Sequence, residues 1–327
     1  RKIGPCCLVV SVGIVAPLWP TSLHATCSAA FPPPFQTLPD KSETFTTGNG
    51  TVLASRGADG CNNTGNTGDN GNPGQQGQSS GDVTQTVAPA QGQTTPQATP
   101  VGVVSVGGKG GNGADVRFQN SIVTTNRRGG FAGSGGNPGD VKLTFDGVVM
   151  DSGTAPSLFA KSDGGAGGRG GLAYLGQLGS ASGRLGGSGG SGGNTDLTSV
   201  AEILKTSGNV DATAISASAN GGDAGDGGDA RAGGGGANAG GGGTAGTGGS
   251  ASVTLRNRTE TSGVTKIEGA VVVDAKGGKG GNAGVSLEGT SGKPERGGTG
   301  GNGGNALLTM GLQTSVSATS SDQKELR

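Results

Sequence analysis

Three aspartates spaced three residues apart are the best candidates in this sequence for binding an ion. Asp223, Asp226 and Asp229 lie in the segment Gly221–Asp229, which reads GGDAGDGGD. Calcium takes about six to eight oxygen ligands, often from flexible acidic loops, so these carboxylates form a candidate for weak Ca²⁺ binding. The glycine frame is one residue out of step with that of calcium-binding β-rolls, and the equivalent runs elsewhere carry lysine or arginine. The alternative is that the three aspartates are solvated spacers.

Acid–base chemistry is otherwise poorly represented in this sequence. His24 is the only histidine, and it lies in or beside an N-terminal segment that we predict to be removed, which excludes Ser-His-Asp, Cys-His and histidine–metal sites in the mature chain. Asp140, Asp151, Asp163 and Asp196 are scattered at the ends of predicted strands, where turn and cap roles are common. The sequence therefore predicts no enzyme activity, no catalytic residues and no cofactor beyond the calcium candidate.

Composition argues against an ordinary globular core. The 327 residues include 75 glycines and 14 prolines, and aromatic residues make up only 3%. A chain of this kind can gain stability when similar repeats stack and share a thin core. The 23 basic and 23 acidic residues balance, and no block of like charge stands out, so the sequence predicts no nucleic-acid binding.

Residues 1–30 have the pattern of a secretory signal. Arg1 and Lys2 precede an apolar stretch from Leu8 to Leu18, and small residues follow, so we expect cleavage after Ala25 or near Ala30. The apolar stretch is short for a membrane span, and a buried strand is the alternative interpretation. The pattern predicts a secreted or cell-surface protein.

Two cysteines would remain after cleavage at Ala25. Cys27 and Cys61 then predict one disulfide, because exported chains commonly pair their cysteines. Lipid attachment at Cys27 is a minor alternative, since the residues before it do not form a convincing lipobox.

Residues 31–80 are rich in proline, threonine, asparagine and glycine. The stretch from Thr51 to Ala54 predicts a short strand, and glycine then recurs every third residue from Gly65 to Gly77. Collagen needs a longer, proline-rich repeat of this kind, so the region is interpreted as a flexible or extended linker.

Residues 81–327 are repetitive. Glycine runs begin at residues 107, 164, 221 and 277, which gives a period of 56 or 57 residues, and copies start near residues 81, 139, 193, 249 and 304. Each copy contains a strand, a Ser-Gly turn, a second strand, a glycine run, a shorter strand and a second glycine run. The last copy stops at Arg327, which predicts that the chain is part of a longer protein.

The glycine runs have an internal period of three, as in Gly186–Gly193, which reads GGSGGSGG. Three residues per turn is the geometry of the polyproline II helix, which forms no internal hydrogen bonds. The runs can be ordered only if copies pack side by side, because fixing glycine backbones is entropically costly; the alternative is flexible loops. The predicted fold is mainly β, a β-solenoid or β-helix-like stack with polyglycine-II-like runs.

The repeats resemble the glycine-rich repeats of bacterial autotransporter passengers. The segments that carry the resemblance are Gly139–Thr144 (GDVKLT), Asp151–Gly153 (DSG), Leu158–Gly165 (LFAKSDGG) and Ile215–Gly222 (ISASANGG). The resemblance covers residues 81–327, although several copies are degraded. It implies an exported passenger with repetitive β structure that a C-terminal barrel carries outside the cell.

These features predict a non-catalytic structural or adhesin-like module outside the cell, with host or matrix surfaces as partners. The alternative is a secreted glycine-rich matrix or fibre-forming protein that self-associates through its polyglycine segments. A third interpretation is the passenger of an enzyme whose catalytic part lies beyond Arg327.

Overall fold

The computed structural model describes residues 42–47, 50–63, 66–67, 70–88, 100–118, 126–151, 156–176, 179–205, 213–256, 265–287, 296–311 and 314–317. These residues form strands and extended segments, with no helix among them, so none provides a helix able to cross a membrane. The predicted signal segment, Cys27 and the Ser-Gly turns at residues 152–153, 207–208 and 262–263 lie outside the described residues.

The strands, in chain order, are β1 (Ser42–Thr47), β2 (Gly50–Arg56), β3 (Asn66–Thr67), β4 (Asn70–Gly71), β5 (Val83–Val87), β6 (Val101–Val106), β7 (Val116–Phe118), β8 (Arg127–Arg128), β9 (Val141–Asp151), β10 (Leu158–Asp163), β11 (Ala173–Leu175), β12 (Ala181–Ser182), β13 (Thr195–Lys205), β14 (Thr213–Asn220), β15 (Ala230–Ala232), β16 (Ala237–Asn238), β17 (Ala251–Leu255), β18 (Thr265–Glu268), β19 (Ala270–Asp274), β20 (Ser286–Leu287), β21 (Ala306–Met310) and β22 (Thr314–Ser317).

Equivalent strands of successive repeats pair into four sheets. Sheet I runs β1-β2-β6-β10-β14-β19, and sheet II contains β5, β9, β13, β17, β18, β21 and β22. Sheet III runs β20-β15-β11-β7, and sheet IV runs β16-β12-β8-β4-β3. Strands from successive repeats pair in parallel, as where Leu158 lies opposite Val101 on one side and Ile215 on the other. Each repeat is therefore one rung of a β-solenoid, which confirms the predicted fold class.

Two classes of glycine segment join the sheets within each rung. The A segments lead from sheet I to sheet III at residues 107–115, 164–172, 221–229 and 275–285, and residues 57–63, which follow β2, are the A segment of the first rung. The B segments lead from sheet IV to sheet II at residues 72–82, 129–140, 183–194 and 239–250, and residues 296–305, which lead into β21 of sheet II, are the B segment of the last rung. A and B segments run in opposite directions and form two facing layers across the middle of the rung.

Apolar side chains form a core at each end of the rung. Alternation in β9 turns Val141, Leu143 and Phe145 inward and leaves Lys142 and Thr144 outside, as expected for a strand with one buried face. Such residues of sheets I and II form the main core. Sheets III and IV enclose a smaller cluster of the side chains Ala173, Leu175, Ala181, Ala230, Ala232 and Ala237, with Phe118 packed against it.

Backbone hydrogen bonds, rather than side chains, hold the glycine segments together. The first residue of each triplet donates to the same class of segment in the next repeat, as Gly110 N does to Ala166 O at 2.8 Å. The second residue donates across to the facing layer, as in the bonds from Gly136 N to Gly108 O at 2.8 Å and from Gly165 N to Gly136 O at 2.9 Å. The predicted polyglycine-II-like runs are therefore ordered, because stacking supplies the partners that a lone polyproline II helix lacks.

Residues 50–63 and 70–82 differ from the predicted linker at 31–80. They form the first rung of the stack: β2 pairs in parallel with β6, and Gly74 N and Gly77 N donate to Phe131 O and Ser134 O, each at 2.8 Å. The linker interpretation was wrong for these residues because the acceptors that order the triplets come from the next repeat, more than 50 residues away in the sequence. On the outer side of this rung, β1 pairs antiparallel with β2.

The two glycine layers lie too close for side chains. A Cβ atom added at Gly164 would lie 2.0 Å from Gly190 O of the facing layer, and one added at Gly167 would lie 2.1 Å from Gly187 O. Real Cβ atoms do not approach backbone oxygens this closely, so these positions require glycine.

We predict that Gly167→Ala destabilises the stack by about 1–3 kcal/mol, because the methyl group must push the facing backbone at Gly187 away. Gly300→Ala is the matched control, since its added Cβ would have Gly278 O as its nearest neighbour at 3.7 Å. The control should change stability by less than about 1 kcal/mol. Denaturant unfolding of both variants measures the difference, and equal losses would contradict the close-packed arrangement.

Candidate functional site

The third residue of each triplet is the position at which the glycine segments carry side chains. Its side chain points away from the facing layer, so equivalent third residues of successive repeats form columns on the outer surface. We call the outer surface of the A segments face A and that of the B segments face B. These two faces are the broad surfaces of the middle of the solenoid.

The predicted ion-binding aspartates lie on face A as parts of a hydrogen-bonded ladder. Oδ1 of each aspartate accepts the backbone N–H of the equivalent residue in the next repeat: Lys279 for Asp223, Asn282 for Asp226 and Val285 for Asp229, each at 2.7 Å. The backbone N–H of the third residue in these triplets donates to no backbone carbonyl, and the aspartate side chain of the preceding repeat supplies its acceptor. Asp223, Asp226 and Asp229 thus join two repeats.

This arrangement separates the three carboxylates instead of gathering them. They lie one polyproline II turn apart, which is about 9 Å, whereas calcium holds its ligands at about 2.3–2.6 Å. Among the described residues, no three His, Cys, Asp or Glu side chains are grouped so that they could hold a metal ion. The calcium candidate remains a prediction, without support from the spacing of its ligands.

The same ladder recurs at other asparagines and aspartates. On face A, Asn112 Oδ1 accepts Arg169 N at 2.7 Å and Asp115 Oδ1 accepts Leu172 N at 3.0 Å. On face B, Asp140 Oδ1 accepts Asn194 N at 2.7 Å. Sequence reasoning missed this role, although its signal is present: Asn or Asp at the third position of a triplet, followed one period later by a residue other than proline.

The other predicted carboxylates do not converge on a site. Asp163 pairs with Lys161 Nζ at 2.7 Å and accepts Asn220 Nδ2 at 3.0 Å, while Asp196 accepts Ser252 Oγ at 3.0 Å. The side chain of Asp151 lies outside the described atoms. Asp140, Asp163 and Asp196 therefore each bond to other groups within the stack and are not paired with one another.

Faces A and B differ in chemistry. Face A carries charged columns, whereas face B is rich in hydroxyl and amide groups. On face B, Ser188 Oγ and Thr244 Oγ1 lie 3.0 Å apart, and Thr247 Oγ1 donates to Ser191 Oγ at 3.4 Å. The hydroxyl pattern continues onto sheet II, where five threonines align in register, namely Thr86, Thr144, Thr198, Thr254 and Thr309.

Five arginines gather at the end of the rung formed by sheets III and IV. We call this group, Arg117, Arg127, Arg128, Arg184 and Arg231, the arginine edge. Three of its guanidinium groups stack over aromatic rings, with centroid distances of 4.7 Å for Arg127 over Phe118, 4.1 Å for Arg184 over Phe131 and 5.1 Å for Arg231 over Tyr174. Such contacts favour a fixed position of the cation.

Arg184 lies beside another positive charge. Partial burial of its guanidinium lowers its pKa, and the nearby charge of Arg128 lowers the pKa further. On the opposite face, Arg117 and Arg169 both pair with Asp115, at 3.5 and 3.1 Å. The arginine edge is therefore partly neutralised on the A side.

Concave sites in the described part of the chain are shallow. The best-formed hollow has a volume of about 260 Å³ and lies on the outside of sheet III, between Arg117, Tyr174, Arg231 and Leu287. It is open to solvent, and Asp229, one of the calcium candidates, lines it with its Oδ1 engaged in the ladder.

Cys61, the second residue of the predicted disulfide, is disulfide-bonded in the structure. Cys27 lies outside the described residues, so the pairing of these two cysteines stays a prediction. The bond ties the A segment of the first rung to another part of the chain.

No family model matches this chain, and no curated protein matches it. Among solved structures, it is similar to a springtail antifreeze protein from Granisotoma rainieri, a bundle of nine polyproline type II helices whose crystal waters match the ice lattice. The match has 21% sequence identity, covers 76% of this chain and 93% of the other chain, and has a TM-score of 0.17. Neither the fold nor the function of this chain rests on so poor a superposition.

We predict that replacing Asp223, Asp226 and Asp229 together by alanine destabilises the stack, by about 0.5–1.5 kcal/mol for each lost hydrogen bond. Replacing all three by asparagine keeps an oxygen acceptor and should recover most of the loss. Denaturant unfolding compares the two variants. A triple-asparagine variant as unstable as the triple-alanine variant would contradict the ladder role, and calorimetric heat with millimolar calcium in the parent alone would support the calcium candidate.

Proposed function

We propose that this chain is a non-catalytic structural module that acts outside the cell as a rigid, adhesin-like display scaffold. The observation that carries the proposal is the unbroken hydrogen bonding from rung to rung, through the strands and through both glycine layers. A stack in which each repeat contacts its neighbours gives length and broad surfaces.

The outer surfaces suit this role because side chains there are evenly spaced and largely polar. Third positions recur every turn of a glycine segment and on every rung, so one kind of contact can be repeated many times. Repeated weak contacts combine into strong attachment when the scaffold keeps them in fixed positions.

Location outside the cell is supported by three observations. The disulfide at Cys61 suits an oxidising compartment, residues 1–30 have the pattern of a secretory signal, and the repeats resemble those of autotransporter passengers. We propose accordingly that the module is secreted or displayed on a bacterial surface and that its partners are surface ligands.

The competing proposal is a matrix protein that assembles through polyglycine segments. The internal bonding favours the display scaffold, because the inward N–H groups of the A and B segments between residues 107 and 250 already bond to carbonyls of the same chain. Few glycine donors within those segments are left to join chains together.

The display scaffold predicts a monomer at high protein concentration. Sedimentation velocity from micromolar to near-millimolar concentration should give one unchanging species for residues 1–327. Filaments or a continuous rise in sedimentation coefficient would instead support the matrix protein.

Export predicts that residues 1–80 direct a fused alkaline phosphatase into an oxidising compartment, where that enzyme becomes active. A matched fusion of residues 31–80 lacks the predicted signal and should be inactive. Equal activity of the two fusions would contradict the signal, and no activity from either would contradict export.

A further inference from the structure

Face B has a positively charged end. β8 pairs with β12 so that Arg128 lies opposite Ser182, and Arg184 follows two residues later on the same rung as Ser182. Arg127 occupies the inward position next to Arg128, where the neighbouring rung has buried Ala181. Three cations from two adjacent rungs therefore meet where the B segments begin.

Among the described residues, no carboxylate forms an ion pair with Arg128 or Arg184. The B segments of these two rungs contain one acidic residue, Asp140, which lies at their other end, about 28 Å along the segment from the arginines. Face A differs, since Asp115 there pairs with both Arg117 and Arg169. Positive charges without acidic neighbours attract anions and raise their local concentration.

The guanidinium group of Arg184 is held in place. It lies 4.1 Å over the ring of Phe131, and its Nε donates to Gly129 O at 3.4 Å. A guanidinium whose plane is fixed by stacking loses little entropy when it binds a carboxylate or sulfate through two parallel hydrogen bonds.

Hydroxyl and amide groups continue from the arginines along face B. One column contains Ser134, Ser188 and Thr244, and the next contains Asn137, Ser191 and Thr247. The columns lie about 9 Å apart along the segments, and their members lie about 4.8 Å apart from rung to rung. Such groups donate and accept hydrogen bonds, as the hydroxyls of sugars require.

We propose that face B binds an acidic polysaccharide, with the anionic groups on Arg128 and Arg184 and the sugar hydroxyls on the adjoining serine, threonine and asparagine columns. The proposal rests on the adhesin-like function and names the class of its ligand. Arg128 and Arg184 are more than 50 residues apart in the sequence, so they form no block of charge there and meet only through the stacking of repeats.

A nucleic acid fits these features less well. Non-specific binding of single strands relies on aromatic rings on which bases stack. The described B segments contain one aromatic residue, Phe131, whose side chain is 49% exposed and has Arg184 stacked over its ring, so face B offers no row of rings for successive bases. The arginines are therefore left to bind anionic groups, and the hydroxyl columns to bind sugars.

The test uses heparin as the acidic polysaccharide and neutral dextran as the comparison. Residues 1–327 should bind heparin, with affinity falling as salt rises, and should not bind dextran. The variant Arg128→Gln/Arg184→Gln should bind heparin about tenfold more weakly, because two charge-assisted contacts are lost. Lys109→Gln/Lys279→Gln removes the same charge from exposed positions of face A and should change affinity less than about twofold.

A single substitution at Arg128 separates a loss of heparin binding from a loss of folding. Arg128 is exposed and makes no aromatic stack among the described contacts, so Arg128→Gln alone should weaken binding without changing thermal unfolding. Equal losses in the face A and face B variants, no binding of heparin at low salt, or equally tight binding of single-stranded DNA would each overturn the proposal. Those results leave the display scaffold standing, because sedimentation and the export fusions test it separately.

Discussion

The whole stack depends on the direct contact between the glycine backbones of the A and B segments. Two β-sheets that pack face to face with side chains between them lie about 10 Å apart. Sheets I and II form such a pair at one end of each rung, and sheets III and IV form one at the other end. In the middle the two layers approach until an added Cβ at Gly164 would lie 2.0 Å from the facing Gly190 O. Glycine at the first position of a triplet follows from this approach. Glycine at the second position follows from the equally close neighbouring repeat, since an added Cβ at Gly165 would lie 2.0 Å from Gly108 O. The core is therefore apolar at its ends and made of backbone at its centre.

The same contact decides where chemistry can occur. Since most inward positions are glycine, the polar and charged groups of the segments lie mainly on faces A and B, with Arg184 as an exception at the edge of a segment. Some of them, such as Asp226 and Asn112, are used to bond the next rung, which leaves the others for recognition. The chain thus combines a rigid interior with surfaces whose composition can vary, and this combination supports the proposed role in display.

The period, the strands of sheets I and II and the three-residue geometry of the glycine runs could be predicted from the sequence, because each has a local pattern. Sheet IV could not, since strands as short as Ala181–Ser182 and Ala237–Asn238 have too few residues for alternation to be recognised. The first rung was interpreted as a linker because its partners are supplied by the next repeat. The ladder of Asp223 and the gathering of Arg128 with Arg184 also depend on contacts between residues about one period apart.

The three-residue period of the glycine segments limits where the repeats can change in length. Equivalent residues of successive repeats are 54 residues apart at Asn137 and Ser191 and 57 apart at Asn112 and Arg169, yet both pairs keep the same ladder bond. The difference is absorbed in the turns and strand ends between segments. An insertion of one or two residues within a segment would instead rotate every later residue by a fraction of a turn and drive a side chain into the facing backbone. Drift in repeat length is therefore confined to the turns, and within the glycine segments only whole triplets can be gained or lost.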